Sequence, residues 1–488
     1  MTETETATNA VRLGVKVPAD KTYDAFLASK KLKVFETGFR VELDQLNPML
    51  FDWQKLVVQT ALRHGQYAMF AECGLGKTPM QVEWAYQVSQ YANGGKVLVL
   101  APLSVAHQTV REARKFNRVL RYVRSQDEIL PDDKLIIINY EMLKHFDVSS
   151  FVGVALDESS LLKNFNGKTK QELCNAFLDT PYKLCCTATP APNDYLELGN
   201  HSQFLGVMDS NEMISRWFIN DQMNTGNYRL KKHAEKDYWR WVTSWAACIS
   251  KPGDIGFSNE GYDLPMLDLI EHVVSVDHSR AFAEGKMFVD GTQSATSMWA
   301  EKKATLKDRC NKAIEIVNNA PDEVWCVWCE TNDEADYLKK RLPQAVEVRG
   351  SDLPRHKETR LNAFSDGDSR LIITKPDIAG LGLNWQHCHN TVFVGLTYSF
   401  EKLYQALRRF YRFGQQNQVN AHLVVAESEG NVMRRLTEKQ AAFREMQAAM
   451  NTAMHENGLF NPDVKRELTA YNPTKKIFIP NWLVSKAG

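Results

Sequence analysis

The chain has 488 residues, with 59 lysines and arginines against 59 aspartates and glutamates, 44% hydrophobic and 24% charged. That length fits two or three packed units, and the balance excludes collagen-like, disordered and disulfide-scaffold classes and a nonspecific polycation. Nine cysteines, odd in number and irregularly spaced, fit a reduced compartment. No run reaches the roughly eighteen apolar residues of a membrane span, and Met1 to Asp20 lacks a basic-then-apolar leader. A soluble cytoplasmic protein with no membrane partner is expected.

Along the chain, the first twenty residues read as disordered. From about Gln66 to Pro190 short β-branched runs alternate with helical patterns: QYAMFA, KVLVLAP, KLIIINY, FVGVALDE and KLCCTATP. The rhythm returns after Pro321 in EVWCVWCE, AVEVRG, RLIITKP, NTVFVGL and VNAHLVVA, with amphipathic stretches such as Glu334 to Leu342 between. Strands alternating with helices predict an α/β chain of two parallel-sheet domains. Residues 206–263 differ in kind, with Trp217, Trp239, Trp241 and Trp245 among lysines and arginines, and read as a mostly helical insertion. The expected division is 1–20, a first domain over 21–205, the insertion over 206–263, a linker over 264–320, a second domain over 321–440, and a C-terminal helix and tail over 441–488.

Ala71-Glu72-Cys73-Gly74-Leu75-Gly76-Lys77-Thr78 follows a predicted strand and opens a predicted helix, the context a phosphate-binding loop requires. Glycines let backbone N–H groups curl around phosphates at a helix N-terminus, Lys77 supplies charge, and the Thr78 hydroxyl suits Mg²⁺. The run Phe151 to Leu156 delivers Asp157 and Glu158 to a strand end, where parallel sheets place ligand chemistry. Asp157 is expected to hold Mg²⁺, and Glu158 to orient and deprotonate the water attacking ATP. Arg409 and Arg412 stand three apart on one helix face, more than three hundred residues from Lys77. Guanidiniums from the second domain suit charge stabilisation on ATP held by the first, so Arg409 and Arg412 are the expected arginine fingers.

Together these residues resemble superfamily-two helicases, specifically the Swi/Snf-type translocase branch. Gly74 to Thr78 with Gln81 is similar to the first motif of that family. Asp157-Glu158-Ser159-Ser160 with Lys163-Asn164 resembles its acidic box, Thr187-Ala188-Thr189-Pro190 with Asn193 its third motif, Gly380 to Asn384 its fifth, and Gln405 to Gln415 its sixth. The resemblance implies two RecA-like P-loop NTPase domains with a helical insertion, adenine reading by Gln54, and nucleotide contact by Gly74, Leu75, Gly76 and Gly382. It further implies coupling of hydrolysis to movement through Thr187, Thr189 and Gln405. The DESS box and the Arg-Arg-Phe-Tyr-Arg spacing resemble the compact DEAD/DEAH-box helicases of bacteriophages and prophages, which implies a phage replication, recombination or nuclease partner.

Motors of this kind grip phosphates with strand-end loops. Pro102 and Ser104 in the first domain, and Arg349, Gly350, Thr374 and Lys375 in the second, are the expected nucleic-acid contacts, with duplex DNA favoured over a single strand. The tryptophan-rich insertion is a further candidate for base stacking. The basic run Arg111 to Arg124 scatters over several helix faces and reads as a solvated surface. Cys326-Val327-Trp328-Cys329 has zinc-like spacing, but strand alternation would point the two cysteines to opposite faces, so no zinc is expected. The expected activity is DNA-dependent ATP hydrolysis driving translocation. Its rivals are a hydrolysis-poor DNA clamp and the motor subunit of a nuclease or restriction assembly.

Overall fold

A computed structural model describes residues 36–163, 167–220, 228–275, 302–379, 383–396, 399–427 and 430–457, without the side chains of Ser104, Pro354 and Asn431. Expectations for the first twenty residues, for Asn164, for Gly380, Leu381 and Gly382, and for the tail past 457 lie outside the described residues.

Seven strands, β1 (Gln66–Ala71), β2 (Lys96–Ala101), β3 (Arg121–Tyr122), β4 (Leu135–Asn139), β5 (Phe151–Asp157), β6 (Tyr182–Thr187) and β9 (Ala246–Ile249), make the first sheet. Its order is β3-β4-β2-β5-β6-β1-β9, and every pairing is parallel. The second sheet has six strands, β10 (Leu267–Val274), β11 (Trp325–Cys329), β12 (Val346–Glu347), β13 (Leu371–Thr374), β14 (Asn390–Val394) and β15 (Val419–Ala426). They run in the order β10-β15-β14-β11-β13-β12, again all parallel. A short antiparallel hairpin, β7 (Phe218–Asn220) with β8 (Tyr228–Leu230), stands apart.

The runs that predicted strands are buried on both faces, as helix-covered parallel sheets demand. Alternation then separates two core layers. Phe70, Leu98, Leu100, Ile136, Ile138 and Leu156 pack on one side of the first sheet, and Met69, Val97, Val99, Ile137 and Ala155 on the other. The same alternation puts Cys326 and Cys329 in different core clusters on opposite sheet faces.

Two expectations change. The 206–263 segment carries its helices, Ser210–Trp217 and Glu235–Thr243, but also contributes β9, which pairs with β1 as an edge strand of the first sheet. The tryptophan side chains Trp217, Trp239, Trp241 and Trp245 are at most 5% exposed, and Trp217 stacks on Trp241 at 4.5 Å. They form core and are closed to bases. The stretch expected as a linker, 264–320, holds β10 and the helix Leu306–Asn319, both packed into the second unit. Strand β10 escaped notice because Leu267-Asp-Leu-Ile-Glu-His-Val-Val is an edge with only intermediate and exposed positions.

The long helix Gly430–Glu456 leaves the second lobe and returns to the first. Leu436 and Phe443 belong to the shared core, Met454 reaches the far side of the first sheet, and the Met454 sulfur accepts the Cys248 backbone N–H at 3.4 Å. Lys236 pairs with Glu456 at 3.0 Å.

Candidate active site between the two lobes

Strand β1 ends at Ala71, and the helix Lys77–Tyr91 begins at Lys77. Between them Gly74 (φ 90°) and Gly76 (φ 74°) take left-handed backbone, closing the loop so that the Lys77 ammonium donates to the Ala71 carbonyl at 2.8 Å. Space is as decisive as φ here. A Cβ on Gly74 would stand 2.9 Å from the Phe413 nitrogen and 3.2 Å from the Arg412 Cβ, so the second lobe rests directly on the loop. Gln54 is buried, accepts the Phe51 N–H at 3.0 Å and donates to the Leu75 carbonyl at 3.0 Å. Its amide therefore braces the loop. Leu75 is buried and its N–H returns to the Glu72 carbonyl at 3.2 Å, while Thr78 sits half-buried in the first helical turn.

Strand β5, adjacent to β6, brings Asp157 to its end, and Glu158 turns off the strand with φ 52°. For a non-glycine residue that backbone is strained. Burial pushes the Asp157 carboxyl up to about 7; the Glu158 charge adds to this, and Lys77 opposes it. Burial likewise raises Glu158, while Lys77 and Arg409 pull it back. One oxygen of Glu158, Oε2, is buried and accepts no hydrogen bond among the described residues. Lys77, Asp157, Glu158 and Arg409 thus share one electrostatic neighbourhood.

Arg409 and Arg412 follow the helix Phe400–Leu407 of the second lobe. Arg409 donates to the Gln405 and Leu383 carbonyls at 3.0 and 3.1 Å, and Arg412 to the Leu383 carbonyl at 3.1 Å. Burial lowers the proton affinity of both, Arg412 to about 10 with Arg409 as the next cause, and the Arg412 Nε has no partner among the described residues. A buried guanidinium and a half-buried one with so few acceptors suit an anion.

The residues expected to couple hydrolysis to movement are buried. Thr187 ends β6 and its hydroxyl accepts the Thr189 N–H at 3.1 Å, Thr189 Oγ1 has no partner among the described residues, and Gln405 donates to Glu401 at 3.5 Å. The expected nucleic-acid contacts are spread along strand ends. Pro102 caps the helix Leu103–Lys115 after β2, Thr374 ends β13 and Lys375 follows it. The Thr374 hydroxyl is used on the Val348 carbonyl at 3.4 Å, and Lys375 on Asn332 at 2.8 Å. Arg349 is held by Glu347 at 2.6 Å and by Asp336, which leaves little of its charge for phosphate. Gly350 is exposed and open to approach. In the basic run, Arg118 pairs with buried Glu83 at 2.9 Å, Arg121 with Asp133 at 3.3 Å, and Arg111 crosses to Glu358 of the second lobe at 3.0 Å.

Sequence reasoning missed a face of the Phe400–Leu407 helix. Glu401 pairs with Lys163 of the first lobe at 2.5 Å, and Arg408 pairs with Glu72 at 3.1 Å. Spacing of i, i+3 and i+7 puts Glu401, Tyr404 and Arg408 on one side, a signal available in the sequence but without a visible partner.

A loop lysine, an acidic pair and opposed arginines from a second parallel-sheet lobe are the arrangement of a two-lobed P-loop protein. The chain matches the SNF2-related domain over residues 61–241 and the helicase conserved C-terminal domain over 308–414. It belongs to the Swi/Snf-type branch of the superfamily-two helicases. Among curated relatives it is similar to the ATP-dependent DNA helicase DDM1 of Arabidopsis thaliana, 22% identical over 476 residues covering 80% of this chain and 61% of the relative. It also resembles the chromatin-remodeling ATPase INO80 of Candida albicans, 25% identical over 176 residues, 31% of this chain and 12% of that one. The chain therefore spans less than two thirds of either relative. A Sulfolobus solfataricus SWI2/SNF2 ATPase core in complex with dsDNA aligns with 89% of this chain and 99% of its own at 17% identity and a TM-score of 0.40.

Proposed function

We propose that this chain is an ATP hydrolase whose turnover drives movement along DNA, with duplex DNA as the track. The observation that carries the reading is the buried, unpartnered Glu158 oxygen beside Asp157 and Lys77, faced across the cleft by Arg409. Four groups of complementary charge converge from two lobes, an investment for which a hydrolysis-poor clamp has little use.

In this reading the Gly74–Gly76 backbone and Lys77 bind the phosphates, and Glu158 holds the attacking water and takes its proton. Arg409 and Arg412 leave the Leu383 carbonyl and meet the charge developing on the transferred phosphoryl group. Mg²⁺ fits the donor set. Thr78 and Asp157 offer hard oxygens, and the raised proton affinity of Asp157 marks a carboxylate awaiting a positive partner. When bound, the ion would neutralise charge on the phosphate oxygens. Among the described residues no cluster of three or more His, Cys, Asp or Glu could hold a metal ion.

Each cycle then shifts the balance between docked and separated lobes, because ATP binds the docked state better and hydrolysis removes the phosphate that bridges them. Pro102, Ser104, Gly350, Thr374 and Lys375 are the proposed phosphate grips, with Arg349 demoted by its ion pairs. The similarity to an ATP-dependent DNA helicase supports a DNA track. A phage or prophage origin, a host-cytoplasm setting and a replication, recombination or nuclease partner extend the proposal, supported by the DESS box and the Arg408 to Arg412 spacing. Among the described residues no helix is long and apolar enough to cross a membrane.

The test is steady-state ATP hydrolysis with no nucleic acid, single-stranded DNA, duplex DNA and RNA, each beside Glu158→Gln. Duplex-stimulated turnover that the variant lowers by about 10²–10⁴-fold is expected. Turnover equal to the variant in all four conditions would remove the motor reading.

A further inference from the structure

The phosphate loop carries an acid at its second position, Glu72, where added negative charge opposes a polyphosphate. Its carboxylate is 7% exposed and held from three directions. Oε1 accepts the Cys73 N–H at 2.7 Å, drawing a loop amide inward. Oε2 pairs with the Arg408 Nη2 at 3.1 Å and accepts the Tyr404 hydroxyl. The backbone N–H of Glu72 is anchored on the Ile249 carbonyl of β9 at 2.8 Å.

Both outside partners come from the second lobe. Arg408 is fixed in turn, donating to the Tyr411 carbonyl at 3.1 Å and lying 5.1 Å from the centres of the Tyr404 and Tyr411 rings. Tyr404 packs on Phe443 of the long C-terminal helix at 5.4 Å, tying the contact to the element that bridges the lobes. Beside it a cavity of about 260 Å³ is lined by Glu72, Cys73, Gly74, Leu75, Tyr262 and Arg408. The Glu72–Arg408 pair thus forms part of the cavity wall.

We propose that Arg408 is a positioning residue for nucleotide: it is the counter-charge that makes the Glu72-bearing loop able to accept phosphates, and it does so only when the second lobe is docked. Separating the lobes leaves Glu72 without its counter-ion, and an uncompensated carboxylate in the loop repels the phosphates. Nucleotide affinity is thereby coupled to lobe docking through one ion pair, distinct from the arginines that act on the transferred group. This rests on the ATPase reading and adds a role for Glu72, Tyr404 and Arg408.

The test uses the full chain, reading binding of a fluorescent ADP analogue together with KM and kcat for ATP on duplex DNA. Arg408→Gln is expected to weaken ADP binding and raise KM about tenfold, with kcat at saturating ATP changed far less. Adding Glu72→Gln removes the stranded charge while keeping an acceptor for the Cys73 N–H, so the double variant is expected to recover to within about threefold of the parent chain. Tyr404→Phe keeps the ion pair and loses one hydrogen bond, a smaller change of about two- to fivefold, and it serves if Arg408→Gln does not fold. A parent chain that binds and hydrolyses ATP alongside an Arg408→Gln protein of equal affinity, or a double variant as weak as the single, overturns this inference alone. If Tyr404→Phe is the variant used, unchanged affinity overturns it equally. A parent chain with neither binding nor turnover removes the ATPase reading as well.

Discussion

Arg409 and Arg412 donate to the same atom, the carbonyl oxygen of Leu383, each over 3.1 Å. One neutral acceptor shared by two guanidiniums is a poor substitute for an anion, so both side chains are stored next to the cleft at a cost that a phosphoryl group relieves.

Arg409→Lys and Arg412→Lys should each lower kcat by about 10³-fold or more, with a much smaller change in KM. A lysine keeps charge but loses the planar fork. Turnover of either variant within about threefold of the parent, measured with duplex DNA at saturating ATP, would show that the guanidinium does not act on the transferred group.

The Asp157 carboxyl, raised by burial and by Glu158 from 3.8 to about 7, must ionise to ligate a cation. ATP turnover should therefore fall as pH drops through about 7 and recover above it, with added Mg²⁺ moving the midpoint lower. Stability without nucleotide carries the opposite sign. A raised carboxyl favours the proton-bound fold, a contribution full below about pH 3.8 and lost as pH rises through about 7. Asp157→Asn should be inactive and should lose that pH dependence of unfolding.

Gly74→Ala combines positive φ with a Cβ placed 2.9 Å from the Phe413 nitrogen. The second lobe has to lift off the loop to make room, so KM for ATP should rise at least about tenfold while overall stability drops by only about 1–2 kcal/mol. Kinetics read beside thermal unfolding separate the two effects.

In the second lobe Arg309 and Glu334, at 0% and 1% exposure, pair at 2.8 Å, and Glu334 also caps the Glu330 and Thr331 N–H groups at 2.8 and 3.0 Å. Arg309→Ala leaves a buried carboxylate unpaired and should destabilise the fold by about 3–5 kcal/mol in urea unfolding. Arg309→Ala with Glu334→Gln should cost less than the single change.

Local chemistry was legible in the sequence. The glycine-lysine loop, the apolar run into Asp157 and Glu158, and the β-branched strands all depend on φ freedom, strand-end placement and burial, which act over a few residues. The capping box of Thr331 with Glu334 belongs to the same class. What the sequence by itself determined was therefore two parallel-sheet lobes and where along each the candidate site residues stand. Tertiary structure alone decided that the tryptophans of 206–263 are core, that Ala246–Ile249 completes the first sheet, that Arg349 is bound by acids, and that Glu72 meets Arg408. Those outcomes turn on which residue arrives opposite which once the chain has folded, and charge or ring shape alone names no partner.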